Sequence, residues 1–385
     1  MVRRPPRLPS CALILAAALC GPAAARADVR FEGHGFGHGA GLAQWGAFGY
    51  ASREGRDFRF ILGHYFEGTR VTRVGGARVR VRLADGRAAR VAGAALAVAA
   101  DGRRVRLRAG RAYRFVPWVA DGVRAIDLAT GRTRAHLHAP VRLTGPAPLR
   151  LLDRAENGIE GGAYRGTFVL ARDGVRVMVV DDAGLEEYLL GVVPGEVPAY
   201  WPAEALKAQA VAARSFARTS RRPGAPFDVF ADTRSQVYRG VSAEAPATSA
   251  AVRATRRLAV TAGGIVAHTL FHSSSGGRTA AVEEAFGPPP VSYLRSAPDP
   301  YDVLSPFHDW TATFTESDIA QRLKPVLSGD FVAIRVVATT PSGRAGTVRV
   351  TGTLGTQDVP AARIRALLSL RSTWFTVAGT QARRT

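Results

Sequence analysis

The stretch that decides the fold reads LEEYLLGVVPGEVP over residues 185–198 and WPAEALKAQAVAAR over residues 201–214. Its first part is apolar and predicts a strand that ends in a proline-bracketed loop carrying Glu196. Pro202 suits the first position of a helix, because proline lacks an N–H that would have no intrahelical partner there. We therefore expect a carboxylate-bearing loop to lead directly into an alanine-rich helix.

The first 27 of the 385 residues read as a secretory signal, with arginines, a short apolar core and a small-residue cleavage site. The apolar core is about half the roughly 20 residues that span a bilayer. We therefore expect a secreted, extracytoplasmic protein without stable membrane insertion once the signal is cleaved. Cys11 and Cys20 both lie in this signal, so the mature chain is expected to have no disulfide and no thiolate metal site.

The chain is strongly basic, with 52 Lys and Arg residues against 31 Asp and Glu, a formal charge of +21. Such a charge attracts anionic polymers over a long range. Anionic wall polymers fit a secreted protein better than nucleic acid does, and no nucleic-acid-binding motif is present in the sequence.

Changes in sequence pattern predict four parts after the signal. Apolar residues alternate with arginine between turns such as Asp85-Gly86, which is typical of short strands. The predicted parts are a Gly/His-rich segment completing the core (28–70), a small β-rich domain (71–150), a catalytic core (151–310) and a C-terminal α/β part of the core (311–385). The expected fold class is α+β: mixed β-sheets with a catalytic loop at a helix N-terminus, plus an inserted small all-β domain.

Four motifs resemble one known family. They are the 185–214 stretch, FHSSSGGRT at 271–279, SQVYRG at 235–240 and GHGFGHGAGLAQWGA at 33–47. On these motifs the chain is identified as a member of the stage II sporulation protein D family, which also includes the amidase enhancer of cell-wall autolysins. Relatives often carry a cysteine where Ser235 stands, so a cysteine-dependent zinc site or bridge is not expected here.

The resemblance implies a peptidoglycan lytic transglycosylase that cleaves the MurNAc-GlcNAc β-1,4 bond, with a preference for peptide-stripped glycan strands. Ordinary glycosidases use two carboxylates. A lytic enzyme can use one, here Glu196, which protonates the leaving oxygen and then accepts a proton from the C6 hydroxyl of the sugar. Such an acid must be protonated near neutral pH, which burial can achieve. The alternative is a non-catalytic enhancer that binds the wall and stimulates an amidase.

Other polar side chains are candidates for substrate binding, and we expect no cofactor. Ser274, Ser275 and Gly276 follow an apolar run and offer hydroxyl and N–H donors to a sugar. A serine nucleophile is disfavoured, because no Gly-x-Ser-x-Gly elbow is present. The remaining candidates are Lys207, Gln209, Arg214, Gln236, Tyr238, His272, His34, His38 and Gln44. Arg214 and Lys207 could equally be surface charges, and His272 could be a packed strand residue.

The histidines of the glycine-rich segment leave a metal site open as an alternative. His34 and His38 could bind zinc if a third ligand, His64 or His272, converged on them. So many glycines disfavour the helix that would align the first two. We expect a tight backbone loop that lines the glycan groove, and no metal.

The order of the motifs departs from the family. In relatives the Gly-His-Gly segment is C-terminal and follows a stretch like residues 370–375, whereas here it opens the mature chain. A circular permutation accounts for this order if the two segments meet in space. We therefore expect residues 372–375 to lie beside residues 31–37.

Overall fold

The computed structural model describes residues 28–119 and 121–378. The predicted signal peptide lies outside these residues. No helix in the part that the structure describes is long and apolar enough to cross a membrane.

The described residues form both helices and strands in several sheets, which confirms an α+β fold class. The helices are α1 Gln44–Arg53, α2 Phe58–Tyr65, α3 Leu185–Glu196, α4 Ala203–Thr219, α5 Pro246–Ala254, α6 Val282–Phe286, α7 Glu316–Leu323 and α8 Ala361–Leu368. Short 3-10 helices cover Val241–Ala243, Pro300–Leu304 and Lys324–Val326.

The strands divide between the two halves of the chain. The first half contains β1 Val29–His34, β2 Leu42–Ala43, β3 Arg70–Arg73, β4 Arg78–Gly86, β5 Ala89–Ala92, β6 Leu96–Val98, β7 Arg104–Arg106, β8 Ala112–Trp118, β9 Gly122–Asp127, β10 Thr133–His138, β11 Val141–Thr144, β12 Leu149–Arg154, β13 Glu160–Tyr164, β14 Thr167–Asp173 and β15 Arg176–Gly184. The second half contains β16 Val229–Phe230, β17 Leu258–Ala262, β18 Ile265–Val266, β19 Phe271–His272, β20 Asp309–Phe314, β21 Phe331–Thr339, β22 Ala345–Gly352, β23 Gly355–Pro360 and β24 Phe375–Ala378.

Two large sheets share the main hydrophobic core with helices α3 and α4. The strand orders are β16-β4-β15-β14-β11-β6-β7 and β10-β9-β8-β5-β12-β13. In β4 the side chains of Val79, Val81 and Leu83 are fully buried while the alternating arginines point away, as the period of a strand requires. Residue 150 is the predicted boundary between the β-rich domain and the catalytic core, yet each of these two sheets contains strands from both sides of it. The predicted division into domains stays a prediction.

The stretch 185–196 is a helix, so the strand predicted there is wrong. Apolar residues recur at the helical spacing, and Glu186 and Glu187 in the first turn favour the positive end of the helix dipole. The buried positions are Leu185, Tyr188, Leu189, Val192 and Val193. Glu196 therefore ends α3 instead of lying in a loop, and residues 197–202 connect it to α4. The predicted second helix is present and begins at Ala203, so Pro202 lies at the N-cap position, one residue before the first helical position expected for it.

The N-terminal strand lies between two strands from the C-terminal part. β1 pairs antiparallel with β20 and β24, and Gly33 faces Phe375 in the register. The ring of Phe31 lies 5.5 Å from that of Phe375, and the His34 N–H donates to the Trp374 carbonyl over 2.9 Å. The predicted proximity of residues 31–37 and 372–375 is confirmed.

We predict that Phe31→Ala destabilises the fold by about 3–5 kcal/mol, the cost of removing a fully buried phenylalanine. Phe31 has no exposed surface and packs edge-on against Phe314 and Phe375. Urea denaturation measures the change in the free energy of unfolding. Tyr200→Ala is the control, because Tyr200 is 81% exposed and its loss should change stability little. Equal effects of the two substitutions would contradict the packing of β1 as a core strand.

Candidate functional site

Glu196 lies where the end of α3 meets the segment that follows β16. Its Oε1 accepts a hydrogen bond from the Val237 backbone N–H over 2.7 Å. Two glycines allow this close approach: a Cβ at Gly195 would meet the Val237 carbonyl oxygen at 2.5 Å, and one at Gly191 would meet the Tyr238 ring at 2.8 Å. The backbone itself therefore holds the carboxyl group in place.

Burial raises the pKa of the Glu196 carboxyl from its ordinary value of 4.5 to about 7. Desolvation penalises the charged form, and it outweighs three influences that favour the carboxylate. These are the Val237 N–H, the positive charge of Arg239 and a hydrogen bond with the Gln44 side chain. Glu196 is therefore about half protonated at neutral pH, as the sequence-based hypothesis of a general acid requires.

Glu196 faces a pocket of about 510 Å³. Six separate segments of the chain supply its walls. The lining residues are Phe36, Gly37, His38, Gln44, Glu196, Phe216, Thr233, Ser235, Val237, Leu270, Phe271, His272, Ser273 and Arg365. Among these lining residues Glu196 is the single acid and Arg365 the single residue with a permanent positive charge. A larger pocket of about 550 Å³ lies on the outer face of the seven-stranded sheet, away from Glu196.

The glycine-rich segment reaches this pocket through close backbone pairing with the 271–274 segment. β2 and β19 pair in parallel, and the backbones of Phe36 and Ser274 exchange two hydrogen bonds of 2.8 and 3.0 Å. Gly37 has a φ of +123°, and a Cβ there would lie 2.6 Å from the His272 side chain. Only glycine fits this position without strain.

The two histidines of the pocket pack with ring centroids 5.5 Å apart. The Nδ1 of His38 accepts from the Ala40 N–H, so that its other nitrogen carries the proton and donates to the Phe271 carbonyl. Burial lowers the pKa of His38 to about 4 and holds that of His272 well below its usual range. Both rings are therefore neutral at physiological pH.

His272 presents one nitrogen without a partner. Its Nδ1 lies 3.2 Å from the Ala40 carbonyl and must donate a proton to it. The Nε2 is then a bare acceptor, and it has no hydrogen-bond partner although the side chain is only 4% exposed.

Ser274, Ser275 and Gly276 lie behind the pocket and do not line it. Asp302 accepts from the Ser274 hydroxyl and from the backbone N–H groups of Ser275 and Gly276, at 2.6–2.9 Å. The Ser275 hydroxyl donates to Asp299 over 2.7 Å. These contacts fix the turn after β19. The neighbouring Ser273 lines the pocket, whereas the three residues that follow it do not.

Gln209, Gln236 and Tyr238 form a buried layer under the pocket floor. Gln209 accepts from Gln44 over 3.4 Å, and Gln236 accepts from the Tyr188 hydroxyl over 3.1 Å. The Tyr238 hydroxyl donates to Asp181 over 2.9 Å. All three predicted residues are at most 1% exposed, so they support the pocket from behind.

Lys207, Arg214 and His34 do not line the pocket. Lys207 pairs with Glu204 at 2.6 Å on the same helix. The guanidinium of Arg214 is fully buried, pairs with Glu186 at 2.8 Å and donates to the Leu258 carbonyl. His34 pairs with Asp309 at 2.6 Å, and both side chains are largely exposed.

Sequence reasoning missed Arg365, Phe216 and Thr233 as pocket residues. Arg365 lies on α8, about 170 residues from Glu196, and it is one of 52 basic residues. Of these three residues, only Thr233 could have been identified from the sequence around it, because it lies two residues before the SQVYRG motif. In the residues the structure describes, no three His, Cys, Asp or Glu side chains converge as a metal site would require.

Comparison with known proteins supports the resemblance. Residues 173–261 match the family profile described as SpoIID, Stage II sporulation protein. A stage II sporulation protein D from Bacillus subtilis (strain 168) is 33% identical over 214 residues, covering 51% of this chain and 61% of that protein. An amidase enhancer from the same strain is 36% identical over 132 residues, covering 34% of this chain and 17% of that protein.

An uncharacterized protein of Brachyspira hyodysenteriae (strain ATCC 49526 / WA1) is 40% identical over 135 residues, covering 34% of this chain and 36% of that protein. The chain thus spans between about a third and three fifths of the length of the first relatives it matches. It contains a domain of the SpoIID family, and the resemblance drawn from its four motifs is confirmed.

We predict that Glu196→Gln stabilises the protein at pH 8 and leaves its stability unchanged at pH 4.5. With a folded pKa of about 7 against 4.5, the wild type loses stability as pH rises through this window, because folding keeps the carboxylate out of water. At 1.36 kcal/mol per unit, the gain above pH 7 is at most about 3 kcal/mol. Thermal unfolding of both proteins across pH 4.5–8 measures it.

The exposed Glu160→Gln is the control for loss of one charge. A difference between Glu196→Gln and wild type that does not change with pH would contradict the raised pKa.

Proposed function

We propose that this protein is a secreted peptidoglycan lytic transglycosylase that cleaves the MurNAc-GlcNAc β-1,4 bond, with Glu196 as its acid and base. One observation carries the proposal: a single carboxyl group lines the pocket, and its pKa of about 7 lets it be acid and base near neutral pH. The fold and family support action on the cell wall in general, and the specific reaction is our inference.

The geometry of the carboxyl group suggests which oxygen transfers the proton. Oε1 accepts from the Val237 N–H, a role that suits the carbonyl oxygen of a neutral acid. The proton then resides on Oε2, which gives it to the glycosidic oxygen as the C1–O4 bond breaks. The resulting carboxylate takes the proton of the sugar's own C6 hydroxyl, whose oxygen bonds to C1 and closes the anhydro ring. No water is consumed.

The lone acid favours this lyase reaction over ordinary glycoside hydrolysis. Hydrolysis uses a second carboxylate roughly 5–9.5 Å from the first, either as a nucleophile or to activate water. Among the described residues that line the pocket, no second carboxylate is available for that role. The attacking group must then come from the substrate.

The remaining parts of the proposal concern substrate and place of action. Peptide-stripped glycan strands are the proposed substrate, and anionic wall polymers and a cell-wall amidase are proposed partners of this basic chain. We propose residues 71–150 as an inserted β domain. The proposed location is the cell wall, reached through the signal sequence.

The second candidate function is a non-catalytic amidase enhancer. One observation favours it: a relative that is 36% identical over 132 residues is named amidase enhancer. Such a protein would bind glycan strands in the same pocket and leave them intact.

We predict that Glu196→Gln lowers glycan cleavage by a factor of at least about 100, because the amide keeps the shape but cannot give and take a proton. The measurement is mass spectrometry of purified glycan strands after digestion, counting anhydro-muramic ends. Glu160→Gln should remain active, and wall binding by Glu196→Gln should be unchanged. Activity within tenfold of wild type would exclude Glu196 as the acid, and a wild type without any cleavage would favour the enhancer.

We also predict that a metal chelator leaves cleavage unaffected, because the proposed chemistry needs only Glu196 and the substrate's own hydroxyl. Purified untagged protein would be assayed with and without the chelator, and its metal content measured by mass spectrometry. Stoichiometric zinc together with loss of activity would instead support a zinc-dependent wall hydrolase.

A further inference from the structure

We propose that Arg365 recognises the muramic acid on which Glu196 acts. Arg365 pairs with the lactyl carboxylate that is free once the stem peptide has been removed. This inference rests on the proposed function and assigns its substrate preference to one side chain.

Arg365 is a half-buried positive charge without a carboxylate partner. Its Nε donates to the Leu370 carbonyl over 3.3 Å, and no described Asp or Glu pairs with its guanidinium. Other half-buried arginines do have such partners, for example Arg82 with Glu156 at 2.7 Å. A partly desolvated charge is costly unless it is paired. A carboxylate on the ligand would supply the missing partner.

Arg365 and Glu196 line the same pocket, where Glu196 is the single acid and Arg365 the single permanent positive charge among the lining residues. A carboxylate that pairs with Arg365 therefore lies in the pocket in which Glu196 acts.

Muramic acid with its stem peptide removed supplies the partner that Arg365 lacks, because its lactyl group carries a free carboxylate. When the stem peptide is present, the lactyl group is a neutral amide and cannot pair with Arg365. A charge-assisted hydrogen bond of this kind should favour the free carboxylate roughly ten- to hundredfold.

The test measures binding in a protein that cannot turn over its ligand. Glu196→Gln protein is titrated calorimetrically with a glycan tetrasaccharide bearing free lactyl carboxylates and with the same tetrasaccharide bearing lactyl methylamides. We expect the carboxylate form to bind at least tenfold more tightly. Adding Arg365→Gln should abolish the difference, and Arg365→Lys should keep part of it. Adding Arg363→Gln, an exposed arginine two residues earlier on α8, should leave the difference intact.

The outcomes separate this inference from the proposed function. Equal binding of both ligands to Glu196→Gln protein, or discrimination that survives Arg365→Gln, would overturn the role of Arg365 and leave the proposed function standing. Binding of neither ligand would contradict the proposed function and this inference with it. If Arg365→Gln does not fold, Arg365→Lys carries the test, and undiminished discrimination in that variant would overturn the role of Arg365.

Discussion

The site depends on one constraint: the carboxyl group of Glu196 is removed from water with few groups to stabilise its charge. A single backbone N–H, that of Val237, holds one oxygen at 2.7 Å. The fold around it fits this arrangement, since Gly191 and Gly195 let the 237–240 segment lie directly against α3. A side chain at Gly195 would collide with the Val237 carbonyl, and one at Gly191 would collide with Tyr238 and Gly240, so either substitution would disturb the backbone that holds the buried carboxyl group.

The charge distribution explains why burial can raise the pKa of Glu196 even in so basic a protein. Many arginines are paired with nearby carboxylates, such as Arg80 with Asp228 and Arg214 with Glu186, and so their fields are partly cancelled. Near Glu196 the positive charge of Arg239 favours the carboxylate, but desolvation outweighs it. The pocket therefore combines a carboxyl group that is about half protonated at neutral pH with the cationic Arg365, as the proposed binding of an anionic sugar requires.

The sequence predicted what local patterns encode. Pro202 and the alanine-rich run predicted α4, the glycines predicted a tight loop, and the motif order predicted that β1 would lie beside residue 375. It fails where local patterns compete, because the apolar composition of residues 185–196 predicts a strand whereas their spacing is helical. It could not find Arg365, because chain folding brings α8 to the pocket and nothing distinguishes that arginine locally. Arg214 was misplaced for a related reason: one helix has several faces, and only packing against Glu186 decides which one turns inward.

The most direct test of the account is a measurement of the Glu196 pKa. A ¹³C NMR titration of carboxyl-labelled protein, with the signal assigned by its absence in Glu196→Gln, would follow this one group from pH 4 to pH 9. The account predicts a midpoint near 7, caused by desolvation. A midpoint near 4.5 would mean that the carboxyl is solvated and ionised at neutral pH, and it would contradict the role of Glu196 as a general acid.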